Sequence, residues 1–166
     1  MRLSRHHYAS PTKGLLIDAN LLTVMIIGAL GVGEVERFKR TREYIDDDVL
    51  GLDLLIQQFG WVGTTPHIMT ETSNLLDWLD DARRANALGY LARFAQSAPE
   101  IGLSSTAVVE SPVYYRLGIT DAALCLAIER QPLVLLTRDL ALYQYASQLR
   151  LEVINFNHVR QQWLFD

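Results

Sequence analysis

The chain has 166 residues, 49% of them hydrophobic, a formal net charge of -4 and a single cysteine. Such a length and apolar content fit one domain with a sizeable core and exclude a disordered chain. Cys125 cannot form an internal disulfide, so nothing points to an oxidising compartment. The negative balance gives no global attraction to nucleic acid.

Residues 1–13 read as an irregular, mildly basic lead-in carrying Arg2, Arg5, His6, His7 and Lys13, ahead of a single domain over 14–166. The basic residues near the start have no apolar segment behind them and do not read as a secretory signal. Gly14 to Asp18 is a short continuous apolar run ending in an acid, which suits a strand buried on both faces. From Ala19 to about Leu30 the sequence is apolar nearly all round, as in a helix buried on most sides, and Gly28, Gly31 and Gly33 end it. The most membrane-like stretch, Leu21 to Val32, is about a dozen residues, short of the ~20 that cross a bilayer. No membrane span is expected, and a cytoplasmic protein is the default.

Residues 34–45 carry Arg37, Lys39, Arg40 and Arg42, which suit either a solvated helix face or contacts to RNA phosphates. Asp46, Asp47 and Asp48 fall in the first turn of another helix, where the dipole favours them. Its core face is Val49, Leu52, Leu55, Ile56 and Phe59, and Gly60 is expected to stop it. Trp61 to Thr64 reads as a short strand. Thr65-Pro66 is a helix start, a hydroxyl at the cap and proline at the first helical position. That helix carries His67, Glu71, Asn74, Leu75 and Trp78.

A helix over 80–98 is expected to turn Ala82, Ala85, Leu88, Leu91, Ala92 and Ala95 inward, with Pro99 ending it. Ile101 to Ser104 reads as a brief strand, and Ser105 to Leu117 is ambiguous because Pro112 interrupts it. Asp121 opens a clean helix with Leu124, Cys125 and Ile128 inward. Leu133 to Leu136 is another buried strand ending in Thr137-Arg138-Asp139, followed by a helix to about Leu149 and a strand at 153–156. His158 to Asp166 reads as a tail whose Trp163, Leu164 and Phe165 are apolar enough to need packing. Strands alternating with helices predict an α/β fold, a three-layer α/β/α domain with a central parallel sheet.

Four acids stand out in this pattern. Taken singly, Asp18 and Asp139 can be helix caps, Asp121 a first-turn residue and Glu71 a solvated one. Taken together, Asp18 and Asp139 both end buried parallel strands, and right-handed crossovers put such ends on one sheet edge. Asp121 and Glu71 lie on helices that begin at the same edge. Four carboxylates there would repel one another, and a divalent cation relieves the repulsion. An all-oxygen set suits Mg²⁺ or Mn²⁺, and there is no Cys/His spacing for zinc. His67 and Glu71, four apart on one face, form either a further ligand pair or an ordinary local hydrogen bond.

The sequence resembles the PIN-domain nucleases. Leu15-Leu16-Ile17-Asp18-Ala19-Asn20 is similar to that family's opening strand and first acid, and Thr70-Glu71-Thr72-Ser73-Asn74-Leu75-Leu76 to the helix bearing the second. Leu117-Gly118-Ile119-Thr120-Asp121-Ala122-Ala123 resembles the third and Leu135-Leu136-Thr137-Arg138-Asp139-Leu140 the fourth. The resemblance runs from about Gly14 to Phe156. It implies a Mg²⁺- or Mn²⁺-dependent endoribonuclease in which Asp18, Glu71, Asp121 and Asp139 are catalytic and hold the metal. Asn20 and Thr137 would support these acids or the phosphate. Many small bacterial members are VapC-type toxins of toxin–antitoxin pairs, so an RNA substrate, a cognate antitoxin and a homodimer are further implications.

Two other functions compete. A haloacid-dehalogenase-like phosphatase also begins from an Asp after its first strand, but needs a second Asp two residues on, where this chain has Asn20. A PIN-like scaffold could hold RNA or protein without cutting; the intact acid set argues against it.

Overall fold

The computed structural model describes residues 10–165, with side chains described as far as Gln162. His6 and His7 therefore lie outside the described residues, as do the side chains of Trp163, Leu164 and Phe165. Four strands form one sheet: β1 (Ser10–Ile17), β2 (Phe59–Gly63), β3 (Leu133–Thr137) and β4 (Val153–Asn155). Their order is β2-β1-β3-β4 and every pairing is parallel. The α/β fold expected from alternating strands and helices is the fold observed.

Burial explains the layering. All five residues of β3 are buried, as are the last four of β1. Successive strand side chains point to opposite faces, so these runs require cover on both sides of the sheet. The cover is helical. Helix α1 (Ala19–Leu30) packs against α2 (Glu34–Arg37), α3 (Asp46–Ile56), α4 (Pro66–Leu76) and α5 (Asp81–Ser97). Helix α8 (Ile119–Arg130) packs against α6 (Ser105–Val109), α7 (Tyr114–Leu117) and β3, and α9 (Leu140–Gln148) against β3 and β4. One contiguous cluster joins Leu15, Leu16, Leu52, Ile68, Leu124, Leu135 and Phe156. No helix among the described residues is long and apolar enough to cross a membrane.

Several expectations need correction. The first strand begins at Ser10, inside the segment read as irregular, because Ser10 N–H donates to Gln58 (3.1 Å) and the chain there pairs with β2 through a shifted register. Gly60 does not stop a helix: α3 ends at Ile56 and Gly60 lies within β2. A Cβ at Gly60 would sit 2.3 Å from the Pro11 carbonyl oxygen, so the close approach of β1 selects glycine. Residues 101–104 form no strand; a single bridge, Thr64 to Glu100, lies just before them.

Helix α5 buries Ala87 and Leu91 and leaves Ala82, Ala85, Ala92 and Ala95 on the solvent side. The larger Tyr90 and Phe94 pack against the core and set its orientation, since burial scales with apolar area. The stretch over 105–117 resolves into α6 and α7 with Pro112 between them. What read as a tail is α10 (Phe156–Phe165), anchored by Arg160, whose guanidinium grips the buried Asp48 carboxylate through two contacts of 2.7 Å.

Candidate functional site

The strand order places a topological switch point between β1 and β3. From β1 the chain moves out to β2, and from β3 it moves the other way to β4. In open α/β sheets, ligands bind outside the carboxyl ends of the strands at such a point. Asp18 and Asp139 flank it. Ile17 pairs with Leu136, so Asp18 and Thr137 are the next residues on adjacent strands.

Asp18 is only 5% exposed and is held by three donors. It caps α1, with Oδ1 accepting from Leu21 N–H at 2.7 Å. Its Oδ2 accepts from the Thr137 hydroxyl at 2.5 Å and from Arg138 N–H at 3.1 Å. A carboxylate offers about four lone-pair sites, so one remains for a further partner. Burial raises the Asp18 carboxyl above its ordinary range, while the bonds from Thr137, Leu21 and Arg138 pull it back. Thr137 also accepts from Asp139 N–H at 3.0 Å, so one buried hydroxyl ties both acids together. Asp139 caps α9, with Oδ1 accepting from Leu142 N–H at 2.9 Å; its Oδ2 takes no hydrogen bond among the described residues.

Asp121 lies in the first turn of α8, partly buried. Its carboxyl is pushed up to about 7, first by burial and then by the charges of Asp139, Glu71 and Asp18. All four acids thus share one electrostatic environment, although they come from four separate parts of the chain. Glu71 sits on α4 and lines a groove of about 550 Å³ with Pro66, His67, Thr70, Asn74, Ile119 and Thr120. Helices α1, α4, α8 and α9 all begin at this edge, and their positive ends offset part of the repulsion.

The acids do not form a closed shell. Among the described residues, no three His, Cys, Asp or Glu side chains already stand at the spacing that would hold an ion. Asp18 and Asp139 each commit one oxygen to a helix cap, which fixes how far their carboxylates can approach one another.

The remaining candidates divide clearly. Thr137 contacts the site as described. Asn20 is exposed and makes no hydrogen bond to the four acids among the described residues. His67 shares the groove with Glu71, and its Nδ1 is buried without a partner among the described residues. Arg37, Lys39, Arg40 and Arg42 are all exposed, and none of them makes an ion pair with the four acids among the described residues. Arg37 pairs with Glu34 at 3.0 Å, and the Arg40 guanidinium lies 5.0 Å from the centre of the Trp78 ring.

Sequence reasoning passed over Arg138. Its backbone binds Asp18, and its guanidinium pairs with Glu43 and lies 5.5 Å over Tyr44. Its position between Thr137 and Asp139 was the available signal. A separate apolar cavity of about 470 Å³, lined by Leu22, Ile26, Trp61 and Phe94 among others, contains none of the four acids. Compared with protein-family models and with curated proteins, the chain finds no match.

Proposed function

We propose that the protein is a Mg²⁺- or Mn²⁺-dependent endoribonuclease of the PIN type, acting as the toxin of a bacterial toxin–antitoxin pair. The observation that carries the reading is the convergence at the switch point: Asp18 and Asp139 follow adjacent strand ends and are tied together by the Thr137 hydroxyl, close enough with Glu71 to raise the Asp121 carboxyl beside them. A site that concentrates negative charge in this way suits a divalent cation, and an all-carboxylate donor set suits a hard one. Asp18, Asp121 and Asp139 would hold the ion, with Glu71 as a further ligand or as the group that positions water. When bound, such an ion supplies charge neutralisation and activation of water for attack on a phosphodiester.

The chain's own groups have distinct tasks in this scheme. Asp18 is fixed by its three donors and offers its remaining lone-pair site outward. Thr137 keeps Asp18 and the start of α9 in register, so that Asp139 presents Oδ2 at the same edge. Glu71 lines the groove in which a nucleotide strand would lie, where its carboxylate would accept a hydrogen bond from the attacking water.

RNA as substrate, a cognate antitoxin and a homodimer follow from the resemblance in the four acidic motifs and belong to the same proposal. The test is incubation of purified protein with RNA and with DNA in Mn²⁺, Mg²⁺ or EDTA. RNA cleavage is expected with the metals only, and Asp18→Asn should abolish it while the far-ultraviolet dichroism is unchanged. Metal-independent cleavage, or wild-type rates in Asp18→Asn, would refute the reading. RNA binding with no cleavage under any condition would favour a scaffold instead. A toxin role further requires that expression arrests growth and that Asp18→Asn does not.

A further inference from the structure

We propose that the apolar cavity between α1, β2 and α5 is a binding site for a medium-chain fatty acid, with Arg93 holding the carboxylate. The cavity measures about 470 Å³ and is walled by Leu22 and Ile26 of α1, Ile56 of α3, Trp61 of β2, and Tyr90 and Phe94 of α5. Well-packed interiors leave few voids larger than a water molecule. A space of this volume, mostly apolar with a few polar groups at its margin, has the character of a small-molecule site. It meets solvent beside Ala29 and Ser97, both exposed.

A second cavity of about 380 Å³ adjoins the first. Tyr90 lines both, while Asn86, Gly89 and Arg93 line the second. These four residues follow one another at spacings of one, three and four, and so share one face of α5. Arg93 folds back along that face, its guanidinium 4.3 Å from the centre of the Tyr90 ring. Gly89 leaves it room: a Cβ there would meet a single atom within 4 Å, the Arg93 Nη1 at 4.0 Å. Glycine is disfavoured inside a helix, and here it keeps the polar cavity clear.

The charges select the head group. Arg93 has no acidic partner among the described residues. Helix α1 carries no charged residue, and α5 has no acid after Asp81 at its first position. The acids adjoining the lining residues in sequence are Asp18, Glu34, Asp53 and Glu100, and none of them lines either cavity. Asp18 is held by its three donors, Glu34 by Arg37 and Arg83, and Asp53 by the Gln57 amide at 2.6 Å. Glu100 lies past the C-terminal end of α5.

A cation therefore stands where an apolar cavity meets a polar one. A neutral apolar ligand would leave Arg93 unused, and a polyanion would leave the apolar walls unused. A molecule with one anionic head and one apolar tail satisfies both. The fork of a guanidinium matches the two oxygens of a carboxylate, and the Asn86 amide offers a further donor beside it. The site contains none of the four acids at the switch point and stands apart from the nuclease reading.

The test is isothermal titration calorimetry of octanoate, decanoate and 1-octanol into the full chain, for wild type, Arg93→Gln, Arg93→Lys and Ala29→Trp. One decanoate per chain is expected, with affinity rising about fourfold for each methylene from octanoate to decanoate. Arg93→Gln should weaken decanoate roughly three- to tenfold and leave 1-octanol unchanged, while Arg93→Lys retains most of the affinity. Ala29→Trp puts an indole in the mouth of the apolar cavity and should abolish binding of acid and alcohol alike.

No saturable binding by wild type, several ligands per chain, or an affinity independent of chain length would overturn the proposal. So would decanoate affinity unchanged in Arg93→Gln or in Ala29→Trp. An equal loss of 1-octanol in Arg93→Gln would also overturn it, by making Arg93 a support of the wall and not a partner of the head group. Arg93 and Ala29 are exposed, so thermal melts of the variants should match wild type and exclude misfolding as the cause. Mn²⁺-dependent RNA cleavage without fatty-acid binding would sink this proposal alone; fatty-acid binding without cleavage would sink the nuclease reading alone.

Discussion

Replacing Asp121 with asparagine should stabilise the metal-free protein while destroying its function. The Asp121 carboxyl, ordinarily near 3.8, is held at about 7 in the fold. A folded-state value above the unfolded one means that the native protein binds the proton more tightly. This contribution to stability is complete below about pH 4 and is lost as the pH rises to about 7. Fully desolvated, the ionised group would oppose folding by up to ~4 kcal/mol at 1.36 kcal/mol per pH unit. Solvent reaches this half-open site, and screening reduces the figure to about 1–2 kcal/mol. The neutral amide of the Asp121→Asn variant would carry no charge for Asp139, Glu71 and Asp18 to repel.

The assay is thermal unfolding by circular dichroism in EDTA at pH 8 and near pH 4. At pH 8 the variant should melt higher by roughly 2–8 °C, at ~2–4 °C per kcal/mol for a chain of this size. Near pH 4 the advantage should vanish. Burial lifts the Asp18 carboxyl in the same direction, so it adds to the loss of wild-type stability as the pH rises above the ordinary carboxylate range. A variant equal to or less stable than wild type at pH 8 would show that the four charges are not crowded, and the argument for a cation site would lose its basis.

Other changes probe the supports of the site. Thr137→Val removes the hydroxyl that donates to Asp18 and accepts from Asp139 N–H, leaving buried groups unpaired. A loss of about 1–3 kcal/mol in urea unfolding is expected, with Mn²⁺ affinity down roughly 10- to 100-fold. Gly60→Ala drives a Cβ into the Pro11 carbonyl and should cost about 1–3 kcal/mol by the same measurement, as overpacking does. Arg160→Ala frees α10 from the buried Asp48 carboxylate. It should cost about 2 kcal/mol, less than the ~3–5 of a fully buried pair because the arginine is partly solvated.

The parts of the fold legible in the sequence were those with a strong local cause. Leu133 to Leu136 and Leu15 to Ile17 read as buried strands because an apolar run of that length needs cover on both faces. Thr65-Pro66 marked the start of α4, and the Thr65 hydroxyl does cap it, accepting from Ile68 N–H at 3.2 Å. What stayed hidden was decided by partners remote in sequence. Ser10 to Lys13 have no apolar pattern and become strand because β2 pairs with them. Helix α10 depends on Arg160 finding Asp48, 112 residues away.

The site shows the same division. Asp18, Asp139, Asp121 and Glu71 were visible because strand ends and helix starts fix which sheet edge they occupy, and their mutual influence on Asp121 matches that placement. The open spacing of the acids was not visible, because helix capping competes for their oxygens. Nor was the Trp78–Arg40 contact, which joins the turn after α4 to a loop before α3.

The most direct test of the central idea, that this sheet edge gathers acids in order to hold a divalent cation, is calorimetric titration of Mn²⁺ into metal-free protein. Wild type should bind, and Asp18→Asn, Asp121→Asn and Asp139→Asn should each weaken binding by at least about tenfold. Absence of Mn²⁺ binding in wild type, or affinity unchanged in all three variants, would contradict it.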